Sequence, residues 1–207
     1  MSINFIHVGS SGRLGKPWNS VDENTIKYIL DIDPNEERRR KNNDNTFIYT
    51  CAVNDKEGVF PFYLCSKINN SSLYEPDMNV IKDEDKKRFI VKEVKDIKCR
   101  KLENIVSDLN IDFDFIKIDT QGADLPIIMG MGKHLKNVVA VHLEAYFIKM
   151  YKNMPLIEDI DSFMKDNNFT KICSLRKKQN PIFDDFLYIN LDKEEDKVTL
   201  IKEIYGL

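Results

Sequence analysis

The chain has 207 residues, and 31 Lys and Arg stand against 34 Asp and Glu for a net charge of −3. That length suits one domain with its own core, and an apolar fraction of 42% with 12 Phe and 8 Tyr excludes wholesale disorder. The charge balance lacks the basic excess of a dedicated nucleic-acid binder, and the cysteines at 51, 65, 99 and 173 are too widely spaced for a zinc ribbon or a disulfide framework.

Taken in chain order, apolar runs predict strands over 3–8, 28–32 and 46–53. The turn-like stretch 54–58 follows, with 60–64 as a hairpin partner. A mixed strand is expected within 92–100, and the apolar spacing of Leu102, Ile105, Val106 and Leu109 predicts a helix. Then come a strand over 113–119 and a helix over 124–135, whose Pro126 sits in the first turn where proline is tolerated. A strand over 138–144, a helix around 157–164, strands over 171–175 and 186–191 and a helix over 198–204 complete the chain. This alternation predicts an α/β fold with a mostly parallel sheet and one domain over 1–207. The irregular part, 54–100, reads as an inserted hairpin or lid. No apolar run approaches the ~18 residues of a membrane span, and no basic-then-apolar leader opens the sequence. A cytoplasmic chain with reduced thiols and no membrane partner is the expectation.

The first chemical signal is Gly9-Ser10-Ser11-Gly12, directly after the first strand. Glycines there let the backbone bend sharply and approach a ligand closely. Asp31 ends the second strand 22 residues after Gly9, the spacing at which an acid meets ribose hydroxyls. A phosphate-binding loop fits poorly, because Ser10 replaces its first glycine and Pro17 its hydroxyl residue. A short-chain nicotinamide reductase needs a late Tyr-x-x-x-Lys pair, whereas the pair here, Tyr63 with Lys67, comes early. An adenosyl ligand without a diphosphate, S-adenosylmethionine, remains, with Gly9, Ser10, Ser11, Gly12, Asp31 and Ile32 around it. Asp33, Pro34 and Glu36 read as the cap, first turn and capping box of a helix. The run Arg38-Arg39-Arg40-Lys41 would complement that helix's dipole.

The second signal is Lys117-Ile118-Asp119-Thr120-Gln121-Gly122-Ala123-Asp124. A strand ends in an acid and a glycine turn opens a helix. Alternation puts Lys117 and Asp119 on one side of the strand. A lysine inside a covered sheet needs a partner, and Glu144 on the neighbouring strand is the candidate for an ion pair. Group transfer at this edge of the sheet needs an aligned nucleophile and a base. Asp119, His142 and Glu144 are the candidates, with Lys117 beside them, and His142 has the most suitable ordinary pKa. Asp119 and Glu144 are too few ligands to assign a metal. His7 and His134 read as structural. Ser71, Ser72 and Tyr74 lie in a polar loop and are candidates for acceptor binding.

These segments together resemble the FkbM family of S-adenosylmethionine-dependent methyltransferases. The stretch 117–124 is similar to its Lys-Ile-Asp-x-Glu-Gly-x-Glu signature, with Gln121 and Asp124 where the family has Glu. Leu30-Asp31-Ile32-Asp33-Pro34 resembles its Phe-Glu-Pro stretch, Ala52-Val53 its Ala-Val-Gly element, Ser71-Ser72-Leu73 its Ser-Ser-Leu loop and Leu143-Glu144 its acid-ended fifth strand. The glycine loop with Trp18, and Asp184-Asp185-Phe186-Leu187-Tyr188 near the end, resemble a subgroup. The resemblance implies a Rossmann-like class I sheet of seven strands with helices on both faces, and O-methylation of a sugar, glycan or related small molecule. Ala52 and Val53 then join the cofactor site. A non-catalytic cofactor-binding paralogue, a short-chain reductase and a homodimer stay open.

Overall fold

The structure, a computed structural model, describes residues 1–34, 45–175 and 181–207. Its strands are β1 (Ile3–Val8), β2 (Ile26–Ile32), β3 (Thr46–Tyr49), β4 (Ala52–Val53), β5 (Gly58–Cys65), β6 (Val91–Arg100), β7 (Phe115–Ile118), β8 (Ala140–Tyr146), β9 (Thr170–Ser174) and β10 (Phe183–Ile189). The α-helices are α1 (Asp83–Phe89), α2 (Leu102–Leu109), α3 (Asp124–Met129), α4 (Ile157–Asp166) and α5 (Glu195–Tyr205). Seven strands form one sheet in the order β3-β2-β1-β7-β8-β10-β9, and β4, β6 and β5 form a second, smaller one.

The pairings from β3 to β8 are parallel, as alternating strands and helices require. β10 is antiparallel to both of its neighbours, so the sheet is mixed. The cause lies in connection length. Only residues 175–182 separate β9 from β10, fewer than the dozen or so that a parallel crossover needs.

Strand alternation divides the interior into two cores. Ile6, Val8, Leu30, Ile32, Ile116 and Ile118 pack with Ile105 of α2, Ile127 of α3 and Ile160 of α4. Ile3, Phe5, Ile29 and Phe115 pack on the other face with Trp18 and with Val198 and Ile201 of α5. Helices therefore cover both faces. Each such side chain, fully buried, contributes about 1.5–3 kcal/mol.

The second face also carries a polar row. Asp31, His7, Lys117 and His142 stand in register across β2, β1, β7 and β8. Lys117 is thus opposite His142 and not Glu144, which corrects the expected ion pair. Its ammonium lies 3.7 Å from where a Cβ on Gly15 would stand. His142 is anchored from α5. The Trp18 indole N–H donates to the Tyr205 hydroxyl at 3.0 Å, and that hydroxyl lies 2.9 Å from His142 Nδ1. An indole nitrogen can only donate, so the Tyr205 oxygen accepts from Trp18 while it meets His142 Nδ1.

Two expected elements break. The strand expected over 46–53 divides, because the chain leaves the large sheet after Tyr49 and Ala52-Val53 pairs with Cys99-Arg100 of β6. The helix expected over 124–135 stops at Met129 and resumes as a 3-10 turn over Gly132–Asn137. A Cβ on Gly130 would come within 2.6 Å of the Asn54 carbonyl oxygen, so the 54–58 turn passes against the helix end. The helix expected after Asp33, with Glu36 and the 38–41 basic run, falls outside the described residues. β5 and β6 pair as a long antiparallel hairpin with α1 between them. No helix among the described residues is long and apolar enough to cross a membrane.

Candidate functional site

A cavity of about 710 Å³ opens where β1, β2, β4 and β7 end, with the β5–β6 hairpin as its far wall. Val8, Ile32, Val53 and Ile127 give the near wall an apolar surface. Phe62, Leu64 and Ile97 face it from the hairpin, with Lys95 among them. The size lies in the range of small-molecule and cofactor sites.

The glycine bend forms one rim. Gly9 N–H donates to the Ile32 carbonyl at 2.9 Å and Asp119 N–H to the Val8 carbonyl at 3.1 Å, so the ends of β1, β2 and β7 are tied together. Gly9 has φ +76°, and a Cβ there would stand 2.1 Å from the Asp119 carbonyl oxygen. Ser11, at φ 49°, donates its N–H to Asp33 Oδ2 at 3.0 Å. Loop and carboxylate thus meet directly on one rim of the cavity.

Of the residues expected at the site, Gly9, Ser11, Ile32, Ala52, Val53, Asp119 and Ser71 line the cavity. The others do not. Ser10 turns inward and its hydroxyl accepts Gly12 N–H at 2.9 Å, bracing the bend from behind. Asp31 is buried in register with His7, one level below the rim. His142 is committed to Tyr205, and Lys117 lies in the same row. Glu144 is buried on the strand beside Asp119, at the level that follows the Ile118–Leu143 pair. Ser72 is buried, and its hydroxyl donates to the Gln121 carbonyl at 2.8 Å and accepts Tyr74 N–H at 3.1 Å. Ser71, Leu73 and Asn69 line the cavity in place of Ser72 and Tyr74.

Sequence reasoning chose Asp31 for the ligand, yet the acid that lines the cavity is Asp33, whose expected helix lies outside the described residues. The register explains the difference. His7 pairs with Asp31 and Val8 with Ile32, so the residue level with Gly9 is Asp33. Asp31 sits two residues, roughly 6–7 Å, below. The signal was present: Pro34 holds the preceding residue extended, which carries the strand direction out to Asp33. Gln121 and Thr120 were also missed as lining residues.

A family model described as the methyltransferase FkbM domain matches residues 15–171. The chain belongs to the FkbM methyltransferase family. In this FkbM domain the match includes Asp33 and Asp119 and leaves the bend at 9–12 and β10 outside it. No curated protein and no solved structure matches the chain.

Behind the FkbM cavity lies a group of buried acids. Asp124 accepts the Thr120 hydroxyl at 2.8 Å and Glu144 N–H at 3.1 Å, yet burial, and then the nearby Asp119, push its carboxyl up to about 7. Glu144 accepts the Tyr146 hydroxyl at 2.7 Å, and burial with Asp119 raises it well above the ordinary range. Burial lowers His142, with Asp185 opposing from 3.7 Å.

These shifts set a pH dependence. An aspartate at the ordinary 3.8 when unfolded and about 7 when folded takes up a proton on folding across that interval. Its contribution to stability is complete below about pH 4 and is lost as pH rises through about 7, at up to about 1.4 kcal/mol per pH unit. Glu144 acts in the same direction. Urea unfolding of the FkbM domain is expected to show stability falling from pH 5 to pH 7. Asp124→Asn is expected to flatten that slope, and an unchanged slope would refute the assignment.

Proposed function

We propose that this chain is an S-adenosylmethionine-dependent O-methyltransferase on a Rossmann-like class I sheet, acting on a hydroxyl of a small molecule or glycan. One observation carries the reading: the bare bend at Gly9 and the Asp33 carboxylate that it holds through Ser11 stand together on the rim of one cavity with an apolar wall. Such a cavity suits an adenosyl group with no phosphates to neutralise. It also lies between the ends of β1 and β7, where the chain, after running outward to β2 and β3, crosses to the other side of β1. Ligands of open α/β sheets bind at that switch point.

In this reading Asp33 accepts hydrogen bonds from the ribose hydroxyls, Ile32, Val53 and Ile127 enclose the adenine, and Gly9 admits the methionine end. The donor supplies a methyl group already activated by the sulfonium: a C–O bond forms to the acceptor hydroxyl as the C–S bond breaks, and the hydroxyl proton leaves to a base. The protein's main task is alignment, for which about 7–11 kcal/mol is available. Asp119 lines the cavity, whereas Glu144 and His142 do not, so Asp119 takes the proton and Glu144 stands behind it. Asn69, Ser71 and Lys95 offer polar contacts to the acceptor against Phe62 and Leu64. Four free thiols agree with work in the reducing cytoplasm.

Isothermal calorimetry with S-adenosylhomocysteine tests this directly. Saturable one-to-one binding is expected. No binding, together with tight binding of a nicotinamide dinucleotide, would transfer the chain to the reductases.

A further inference from the structure

Gln121 stands at the join between the cavity and the buried acids, and its backbone is strained. Its φ is 56°, in the left-handed region, ahead of Gly122 at 94°. For a side chain such as glutamine that conformation costs about 1–2 kcal/mol, and cost of this kind collects at functional sites.

The side chain is saturated with contacts. Its Nε2 donates to Asp119 Oδ1 at 3.3 Å and to Glu144 Oε1 at 3.2 Å. Its Oε1 lies 3.4 Å from the Tyr146 hydroxyl and 3.3 Å from the Tyr151 hydroxyl. The main-chain carbonyl takes the Ser72 hydroxyl at 2.8 Å. Two carboxylates meeting at one nitrogen fix which end of the amide points where, because only the NH2 group can donate. The titratable groups facing this point are Asp119 from the end of β7, Asp124 from α3, Glu144 and Tyr146 from β8, Asp185 from β10 and Tyr151 from the loop after β8.

From this geometry we propose that Gln121 is a positioning residue for the reaction: one neutral amide nitrogen holds Asp119, at the cavity, and Glu144, buried on the neighbouring strand, as a linked pair of carboxyls. A glutamate at 121 would add a third carboxylate within hydrogen-bond distance of both and remove the donor between them. The same residue couples the pair to the acceptor loop, since Ser72 lies between two cavity-lining neighbours, Ser71 and Leu73. This inference takes its purpose from the methyl-donor reading above.

The test uses carboxyl carbon NMR of the full chain with labelled Asp and Glu, signals being assigned by Asp119→Asn and Glu144→Gln. In Gln121→Glu the apparent midpoints of the pair are expected to rise by about one pH unit or more, because like charges are brought together. Gln121→Met, which removes both N–H donors, is expected to raise them less. Ser72→Ala breaks the loop contact and leaves the amide in place, so it lowers stability without moving the midpoints. A measurement on the unaltered chain guards against misfolded variants: the Gln121 side-chain NH2 resonances are expected to titrate together with the pair. Resonances that ignore the pair, or folded Gln121→Glu midpoints equal to those of the unaltered chain, overturn the proposal. Calorimetry with S-adenosylhomocysteine on the same sample scores the methyl-donor reading separately. A linked pair without binding keeps the positioning role and removes the reaction.

Discussion

Asp33→Ala is expected to weaken S-adenosylhomocysteine binding by about 30-fold or more, while Asp31→Ala leaves affinity within a few-fold and lowers stability instead. The first expectation follows from loss of charge-assisted hydrogen bonds to two hydroxyls, each worth roughly 1.5–3 kcal/mol before partial compensation by water. The second follows from place. Asp31 is 3% exposed and stands beside His7 inside the sheet, so its removal disturbs a buried polar row and reaches no ligand. Calorimetry for affinity and thermal unfolding for stability separate the two variants. The reverse outcome, with affinity lost in Asp31→Ala and kept in Asp33→Ala, would return the ribose contact to the second strand's interior.

Gly9→Ala is expected to be the most damaging single-methyl change in the chain. Two costs add there: a positive φ of 76°, worth about 1–2 kcal/mol for an alanine, and a Cβ that would stand 2.1 Å from a main-chain oxygen. That oxygen belongs to Asp119, on the strand end tied to β1, so it cannot swing aside as a side-chain tip would. Overpacking of this kind costs about 1–3 kcal/mol more. The sum corresponds to a melting-temperature loss on the order of 5–15 °C for a chain of this size. Whatever shift relieves the clash also opens the gap between β1 and β7, so donor binding falls in the variant that still folds. Gly15→Ala is the matched control. Its Cβ would meet the Lys117 side chain at 3.7 Å, an ordinary contact, and near-neutral stability is expected. Equal melting temperatures for the two variants would show that the bend tolerates a side chain.

The sheet's interior could be read from the sequence because burial imposes its own pattern. Runs such as Phe5-Ile6 and Phe115-Ile116 are apolar on both sides, as strands covered by helices must be. Levels along a strand are harder. Asp31 and Asp33 differ by one step of the alternation, and only the pairing of Val8 with Ile32 decides which reaches the rim. His142 looked like a base from its ordinary pKa, but Tyr205 and Trp18, distant in sequence, claim its ring. The division of 46–53 depended on β6 offering a second edge. Gln121 was visible as an exchange of amide for acid within a signature. Its hold on two carboxyls needed a left-handed backbone and four neighbours that no local pattern announces.

The placement of β10 bears on how the chain assembles as it leaves the ribosome. β9 is made first yet has no bond to β8, since β10 lies between them. Until 183–189 emerge, the nascent polypeptide holds β8 with one open edge, a template for mispairing with other chains. Chaperones that meet the chain before β10 inserts therefore find the β8 edge unpaired, and insertion of that one strand both covers β8 and attaches β9.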